Sequence, residues 1–287
     1  MTIIKNMIFF QTLFQVCQIL LINGANIDDL QGFPNFTIKT NITSYDSSVN
    51  FTSLIGFGVY EDSLITKYFV LDWAKHRIIT FNEKWKYVKY NEFRNPAQMI
   101  TIGNELFITG QVNIFKTDKD LNIIQQYNAT NVHNYLPSFR GIYYNSKNST
   151  IYVVAYEAMM IYEFTLDFEI VDSFATSKHY PWSIHEYDNQ LFVGTYSGTI
   201  LVIVNKSVIR TFNACDGCYN SMVTSMIFNK KGFIYVTSSS LNAILLYNSN
   251  GSYTGTRMRT PSFPYFTGYD AKGRLVIISV FQITIYN

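Results

Sequence analysis

The residues best equipped for chemistry in this chain are four histidines and a pair of closely spaced cysteines. A zinc centre needs about three histidines, or histidines with carboxylates, converging on one point. His133 lies four residues before Pro137 and His179 two before Pro181, so these two occupy similar places, with His185 four residues after Pro181. Two matched histidines without a third fall short of a catalytic set, and the competing reading makes them loop and core residues. His76, in the turn before Arg77, reads as structural. Cys215 and Cys218 form Cys-Asp-Gly-Cys. A redox dithiol would open a helix in a βαβ setting that is missing here, and structural zinc would want two more ligands. A disulfide remains, closing a loop so short that it contributes about 2 kcal/mol at most and pins a local turn. No Gly-x-Ser-x-Gly, Walker-type phosphate loop or dinucleotide-binding glycine pattern occurs. Asp72 is expected to accept hydrogen bonds from the turn that follows it rather than to act as an acid. The run from Lys84 to Lys89 interleaves bases with aromatics as a nucleic-acid surface can. At strand spacing, however, Lys84, Lys86 and Tyr90 share one face and Trp85, Tyr87 and Lys89 the other, which suits a solvated outer strand.

What must hold these residues is a chain of 287 with 48% hydrophobic and 15% charged residues and mean hydropathy near zero, rich enough in apolar side chains to bury a core. A net charge of +2 argues against a broad electrostatic grip on nucleic acid or anionic lipid. Residues 1–25 have the order of an export signal: Lys5, an apolar stretch from Met7 to Ile22, then Asn23-Gly24-Ala25. Gln11, Gln15 and Gln18 interrupt the apolar stretch, which makes a stable membrane span a poorer reading, although a retained signal anchor is the alternative. The mature chain is expected to carry no span. Asn-x-Ser/Thr occurs seven times, at Asn35, Asn41, Asn50, Asn128, Asn148, Asn205 and Asn250, against roughly four expected by chance. With Cys17 inside the signal, the exported chain keeps an even count of cysteines, Cys215 and Cys218, as a disulfide requires.

An internal repeat organises the remainder. A bulky residue followed by Val or Ile recurs at Phe69-Val70, Phe107-Ile108, Tyr152-Val153, Phe192-Val193, Tyr235-Val236 and Val276-Ile277. The spacings are 38, 45, 40, 43 and 41 residues. Each copy is preceded by an apolar run and a turn and followed by a third run, and in most copies a fourth, such as Trp85 to Tyr90 or Leu121 to Tyr127. Four short strands every 40 to 45 residues are a propeller blade. The fold expected is all-β: a six-bladed β-propeller of four-stranded blades spanning residues 34–287. The last copy, Pro264 to Asn287, has room for three strands only, and the alternating segment Phe36 to Thr43 is the expected donor of the fourth, closing the ring.

Tyr68-Phe69-Val70-Leu71-Asp72 followed by His76-Arg77-Ile78-Ile79-Thr80-Phe81 resembles the NHL repeat, in which a strand ending in Asp leads through a turn to Arg-Ile-x-x-Phe. Ile234 to Ser238 with Asn242 to Tyr247 is similar but lacks the Asp and the Arg. The resemblance implies a six-bladed propeller, a fold shared by calcium-dependent lactonases and esterases and a zinc-dependent peptide-amidating lyase that hold their metal in or over the channel. The segments expected to open the innermost strands are Asn95 to Met99, Pro137 to Gly141, Pro181 to His185, Val223 to Met226 and Pro264 to Gly268, and none carries an acidic residue for calcium. No cofactor or metal is therefore assigned. What remains is a rim of inter-blade loops with His133, Tyr135, Arg140, His179, Tyr180, Trp182 and the cysteine turn, rich in residue types that dominate binding hot spots. The function expected is that of a secreted, monomeric, non-catalytic propeller that recognises an extracellular protein, peptide or glycan. The alternative is a metal-dependent hydrolase or lyase.

Overall fold

The computed structural model describes residues 38–46, 49–131, 137–214, 221–229, 231–260 and 262–286. The expected signal, Asn35, His133, Tyr135, Cys215 and Cys218 lie outside them. The described strands are β1 (Ile38–Ile42), a small antiparallel pair β2 (Ser44–Asp46) and β3 (Val49–Asn50), and then six blades. Blade 1 contains β4 (Leu54–Glu61), β5 (Thr66–Asp72), β6 (Arg77–Asn82) and β7 (Tyr87–Glu92). Blade 2 contains β8 (Gln98–Ile102), β9 (Glu105–Thr109), β10 (Asn113–Thr117) and β11 (Ile123–Asn128). Blade 3 contains β12 (Phe139–Asn145), β13 (Thr150–Ala155), β14 (Met160–Thr165) and β15 (Ile170–Ala175). Blade 4 contains β16 (Pro181–Tyr187), β17 (Gln190–Thr195), β18 (Thr199–Val204) and β19 (Ser207–Asn213). Blade 5 contains β20 (Val223–Phe228), β21 (Ile234–Ser238), β22 (Ala243–Tyr247) and β23 (Tyr253–Arg259). Blade 6 contains β24 (Pro264–Tyr269), β25 (Leu275–Ser279) and β26 (Gln282–Tyr286). Every blade is an antiparallel meander, and the first strands β4, β8, β12, β16, β20 and β24 neighbour one another in a closed ring around the axis. No helix among the described residues is long and apolar enough to cross a membrane.

The ring closes as the sequence requires. β1 pairs with β26 in antiparallel register, Ile42 opposite Ile283 and Asn41 opposite Thr284, and supplies the fourth strand of blade 6. That pairing covers the edge of β26, which would otherwise present unpaired N–H and C=O groups to other chains.

The recurring doublet is explained by packing. Blades stack face to face, so a second strand is buried on both sides, and successive side chains point to opposite neighbours. Phe69 enters the core between blades 1 and 2, and Val70 the core between blades 1 and 6. Likewise Phe107, Phe192 and Tyr235 face the following blade, and Ile108, Val193 and Val236 the preceding one. The core is thus six inter-blade cores in a ring rather than one central mass. Outermost strands such as β7 and β19 alternate between exposed and half-buried residues, as one-sided strands should.

Two local expectations are corrected. Lys84 to Lys86 belong to the β6–β7 turn, and the outer strand begins only at Tyr87. Trp85 sits in that turn at φ 60°, buried, with its ring stacked 4.4 Å from Tyr68 and its Nε1 donating to Asp270. Leu121 (φ 69°) and Phe168 (φ 64°) repeat this buried left-handed residue in blades 2 and 3. Asp72 is structural as expected but does not cap its following turn. It accepts from Thr52 Oγ1 (2.6 Å), the Ser53 main chain (3.0 Å) and both Nε and Nη2 of Arg77 (3.1 and 2.7 Å), so it ties blade 1 to the segment that leads into it.

Candidate functional site at the channel mouth

In each blade the first strand starts at the same face, where it meets the connection from the preceding blade and the turn between the second and third strands. Five of the six first strands carry a register shift beside their opening residue, between Leu54 and Gly56, Phe139 and Ile142, Pro181 and Ser183, Val223 and Ser225, and Pro264 and Phe266. In blade 2, Ala97 N donates to Thr109 O while Gln98 is the residue paired with Thr109, which gives the same two-against-one arrangement. A bulge of this kind re-aims the extra side chain. The result is a ring of one residue per blade at the mouth: Ile55, Gln98, Arg140, Trp182, Thr224 and Tyr265. All five segments expected to open innermost strands do so, and the ring carries no carboxylate.

The cavity bounded by Ile55, Gln98, Arg140, Trp182, Thr224 and Phe266 measures about 10 Å³, room for about one water molecule. A ligand therefore lies over the mouth.

The polar members of the ring differ in how they are satisfied. Gln98 Oε1 accepts from Ile142 N (3.2 Å), and Thr224 Oγ1 donates to Pro264 O (3.2 Å). Arg140 is half-buried, yet its Nε is sealed from solvent without a hydrogen-bond partner. Its guanidinium lies over Trp182, with Cζ 4.6 Å from the ring centroid. Burial pulls the Arg140 guanidinium below its ordinary value, partly opposed by the nearby Tyr156, Tyr265 and Glu157, and it stays charged at any physiological pH. Gly141 makes the stacking possible: a Cβ there would lie 3.0 Å from Trp182 O and from backbone atoms of Ser183 and Ile184. A side chain there would push β12 and β16 slightly apart.

Around the pair stands an aromatic wall. Tyr156 meets Trp182 (5.6 Å) and Tyr196 (5.7 Å) edge-on and lies tilted against Tyr180 at 5.1 Å. Tyr156 and Tyr196 follow the second strands of blades 3 and 4, and main-chain bonds from Tyr156 N to Ser138 O and from Tyr196 N to Tyr180 O fix those turns to the connection beside each first strand. Burial, followed by the neighbouring Tyr196 and Glu157, pushes the Tyr156 phenol up to about 12. The Tyr265 phenol is raised in the same direction by burial. Among the described residues of the ring and wall, Arg140 is the one cation.

The structure brings together three of the rim residues expected from sequence, Arg140, Tyr180 and Trp182. His179 is adjacent in the turn, held by its main chain to Thr176, with no contact to the arginine. Tyr156, Tyr196 and Tyr265 were missed. The first two stand 40 residues apart, one blade repeat, each three residues past a second-strand doublet, and that spacing was the signal available. His185 is remote from the mouth, at the other end of β16 between Tyr143 and Phe228. His76 accepts from Asn95 N through Nδ1 at 3.3 Å in its turn. Among the described residues no group of three or more His, Cys, Asp and Glu side chains converges as a metal site would.

No protein-family model and no curated protein matches the sequence. Solved structures of similar fold include a streptogramin B lyase (TM-score 0.67, 14% identity, covering 88% of this chain and 97% of that one). A catalytically inactive virginiamycin B lyase from Staphylococcus aureus with quinupristin is also similar (TM-score 0.62, 18% identity, 85% and 82% covered). So is the WD40 β-propeller domain of Doa1 (TM-score 0.64, 10% identity, 89% and 97% covered). Identities this low speak for fold alone.

Proposed function

We propose that this propeller is a secreted, non-catalytic binding protein that takes an extracellular protein, peptide or glycan over the mouth of its channel. The observation that carries this reading is Arg140, an enclosed cation stacked on Trp182 among tyrosines, with its Nε unpartnered. Tyr, Trp and Arg on a rigid scaffold are the makings of a binding hot spot. Export is supported by the N-terminal segment and by six acceptor asparagines, Asn41, Asn50, Asn128, Asn148, Asn205 and Asn250, all exposed. Asn148, Asn205 and Asn250 lie on turns at the face opposite Arg140, so glycans there leave the mouth clear. The NHL-like character of blade 1 rests on Asp72 and Arg77, a buried pair that serves the fold rather than the site.

The reading is tested with 5-fluorotryptophan in the three tryptophans, Trp73, Trp85 and Trp182. Peptides, glycans and organic acids are screened by ¹⁹F NMR, with the buried Trp85 as internal control. Movement of the Trp182 signal alone supports binding at the mouth, and a panel that never moves it sinks the idea. Secretion from a eukaryotic host with loss of residues 1–25, a glycosidase-dependent mass change and no free thiol at Cys215 and Cys218 are the matching expectations for compartment. A second reading, a metal-dependent hydrolase or lyase, draws on the fold likeness to the streptogramin B lyase. About one calcium or zinc per purified chain would favour it over a non-catalytic role.

A further inference from the structure

The reading of the mouth as a binding surface leaves open what chemistry it selects, and Arg140 narrows that. A cation enclosed by protein is costly unless an anion or acceptors compensate it. The Trp182 face supplies part of that compensation. No hydrogen bond to the Arg140 side chain is made among the described residues, and its Nε is sealed without one. The five other ring residues, Ile55, Gln98, Trp182, Thr224 and Tyr265, bring no negative charge, and Glu157, the nearest acid to act on Arg140, is exposed and acts only through space. Among the described residues nothing supplies the missing anion, which leaves that part to the ligand.

Resting on that reading, we infer that the mouth takes a carboxylate borne on a flat or apolar body, its two oxygens on the Arg140 guanidinium and its body against the tyrosine wall. Three features favour a carboxylate. The ring holds one cation rather than a cluster, which matches a single negative charge. The cavity of about 10 Å³ holds no more than a water, so the charged end of the ligand must be compact enough to rest at the mouth on Arg140. The surrounding surface is Tyr156, Tyr180, Tyr196 and Trp182, with Tyr180 43% exposed and open to an apolar partner. A planar guanidinium meets a carboxylate through paired hydrogen bonds. Two sources share this chemistry, the free C-terminus of a peptide and a small organic acid.

The test uses the full fluorotryptophan-labelled chain and four probes: 3-phenylpropionate, 3-phenylpropionamide, and a tetrapeptide ending in Phe with either a free or an amidated C-terminus. The carboxylates are expected to shift the Trp182 signal saturably, each amide binding at least about tenfold more weakly. Arg140→Gln should lose a similar factor toward the carboxylates while leaving the Trp85 signal, and hence the fold, unchanged. Arg140→Lys, which keeps the charge but not the planar fork, should fall between. Tighter binding of the peptide than of phenylpropionate identifies a chain terminus as the source, and the reverse identifies a free acid. Equal binding of acids and amides, or Arg140→Gln binding as well as the parent, overturns the carboxylate while the mouth remains a binding surface. Inorganic phosphate shifting Trp182 where the carboxylates do not overturns it equally. Silence of Trp182 toward every probe removes both.

Discussion

At the scale of single residues, the chain separates charges that hold the fold from the charge that serves the site. Asp72 is fully buried and bonded by three neighbours, Arg77 among them through two nitrogens. Asp72→Ala takes the buried carboxylate away from Arg77, which keeps the Asn50 carbonyl as an acceptor, and should lower the unfolding free energy by about 3 kcal/mol or more. Replacing both, Asp72→Ala with Arg77→Met, should recover much of that loss, as urea titration would show. Arg140 is a half-buried cation without such a carboxylate partner among the described residues, which is why its replacement is expected to change binding more than stability. A pH effect belongs to His185. Burial holds its imidazole below the ordinary 6.5, partly opposed by contact with Glu186. A depressed value contributes stability above pH 6.5 that is lost as pH falls through the folded value. Unfolding free energy should therefore decline on acidification from pH 7, and His185→Phe should flatten that decline.

At the scale of elements, the turns between third and fourth strands store conformational strain in exchange for burial. Asn82, Asp118 and Thr165 each accept main-chain N–H groups two and four residues ahead. The residue three ahead, Trp85, Leu121 or Phe168, takes a positive φ and inserts into the core. Left-handed backbone costs a non-glycine residue about 1–2 kcal/mol, whereas removing a buried leucine costs about 2–5 kcal/mol, so burial wins. Leu121→Gly should thus destabilise, yet no more than Leu121→Ala, an order opposite to that found in helices and measurable by thermal melts. Gly141 plays the corresponding part for the site. Gly141→Val must push β12 from β16, and it should weaken binding at the mouth by separating Arg140 from Trp182, seen as a displaced Trp182 ¹⁹F signal without ligand.

At the scale of the whole molecule, stability is a ring of neighbour contacts and depends on its closure. Removing residues 1–42 leaves blade 6 with three strands and exposes the edge of β26. Such a chain should aggregate or lose cooperative unfolding, and adding the Phe36 to Thr43 peptide in trans should restore part of the parent melting transition.

The architecture is legible in the amino-acid order alone, because a strand buried on both faces must repeat its bulky and β-branched pair wherever a blade recurs. Six copies of Phe69-Val70 and its equivalents therefore spelled out six blades, and the three-strand remainder after Pro264 spelled out the donor at Ile38–Ile42. The same order also supplied Arg140, Tyr180 and Trp182 as candidates, since they flank the starts of first strands. Only the tertiary structure decided that these three meet, and that Tyr156, Tyr196 and Tyr265 join them while His179 stands aside. The reason is physical. Contacts at the mouth run between blades about 40 residues apart, and they depend on bulges that turn one side chain per blade toward the axis. A bulge changes register without changing composition, so it leaves no mark in a hydrophobic pattern.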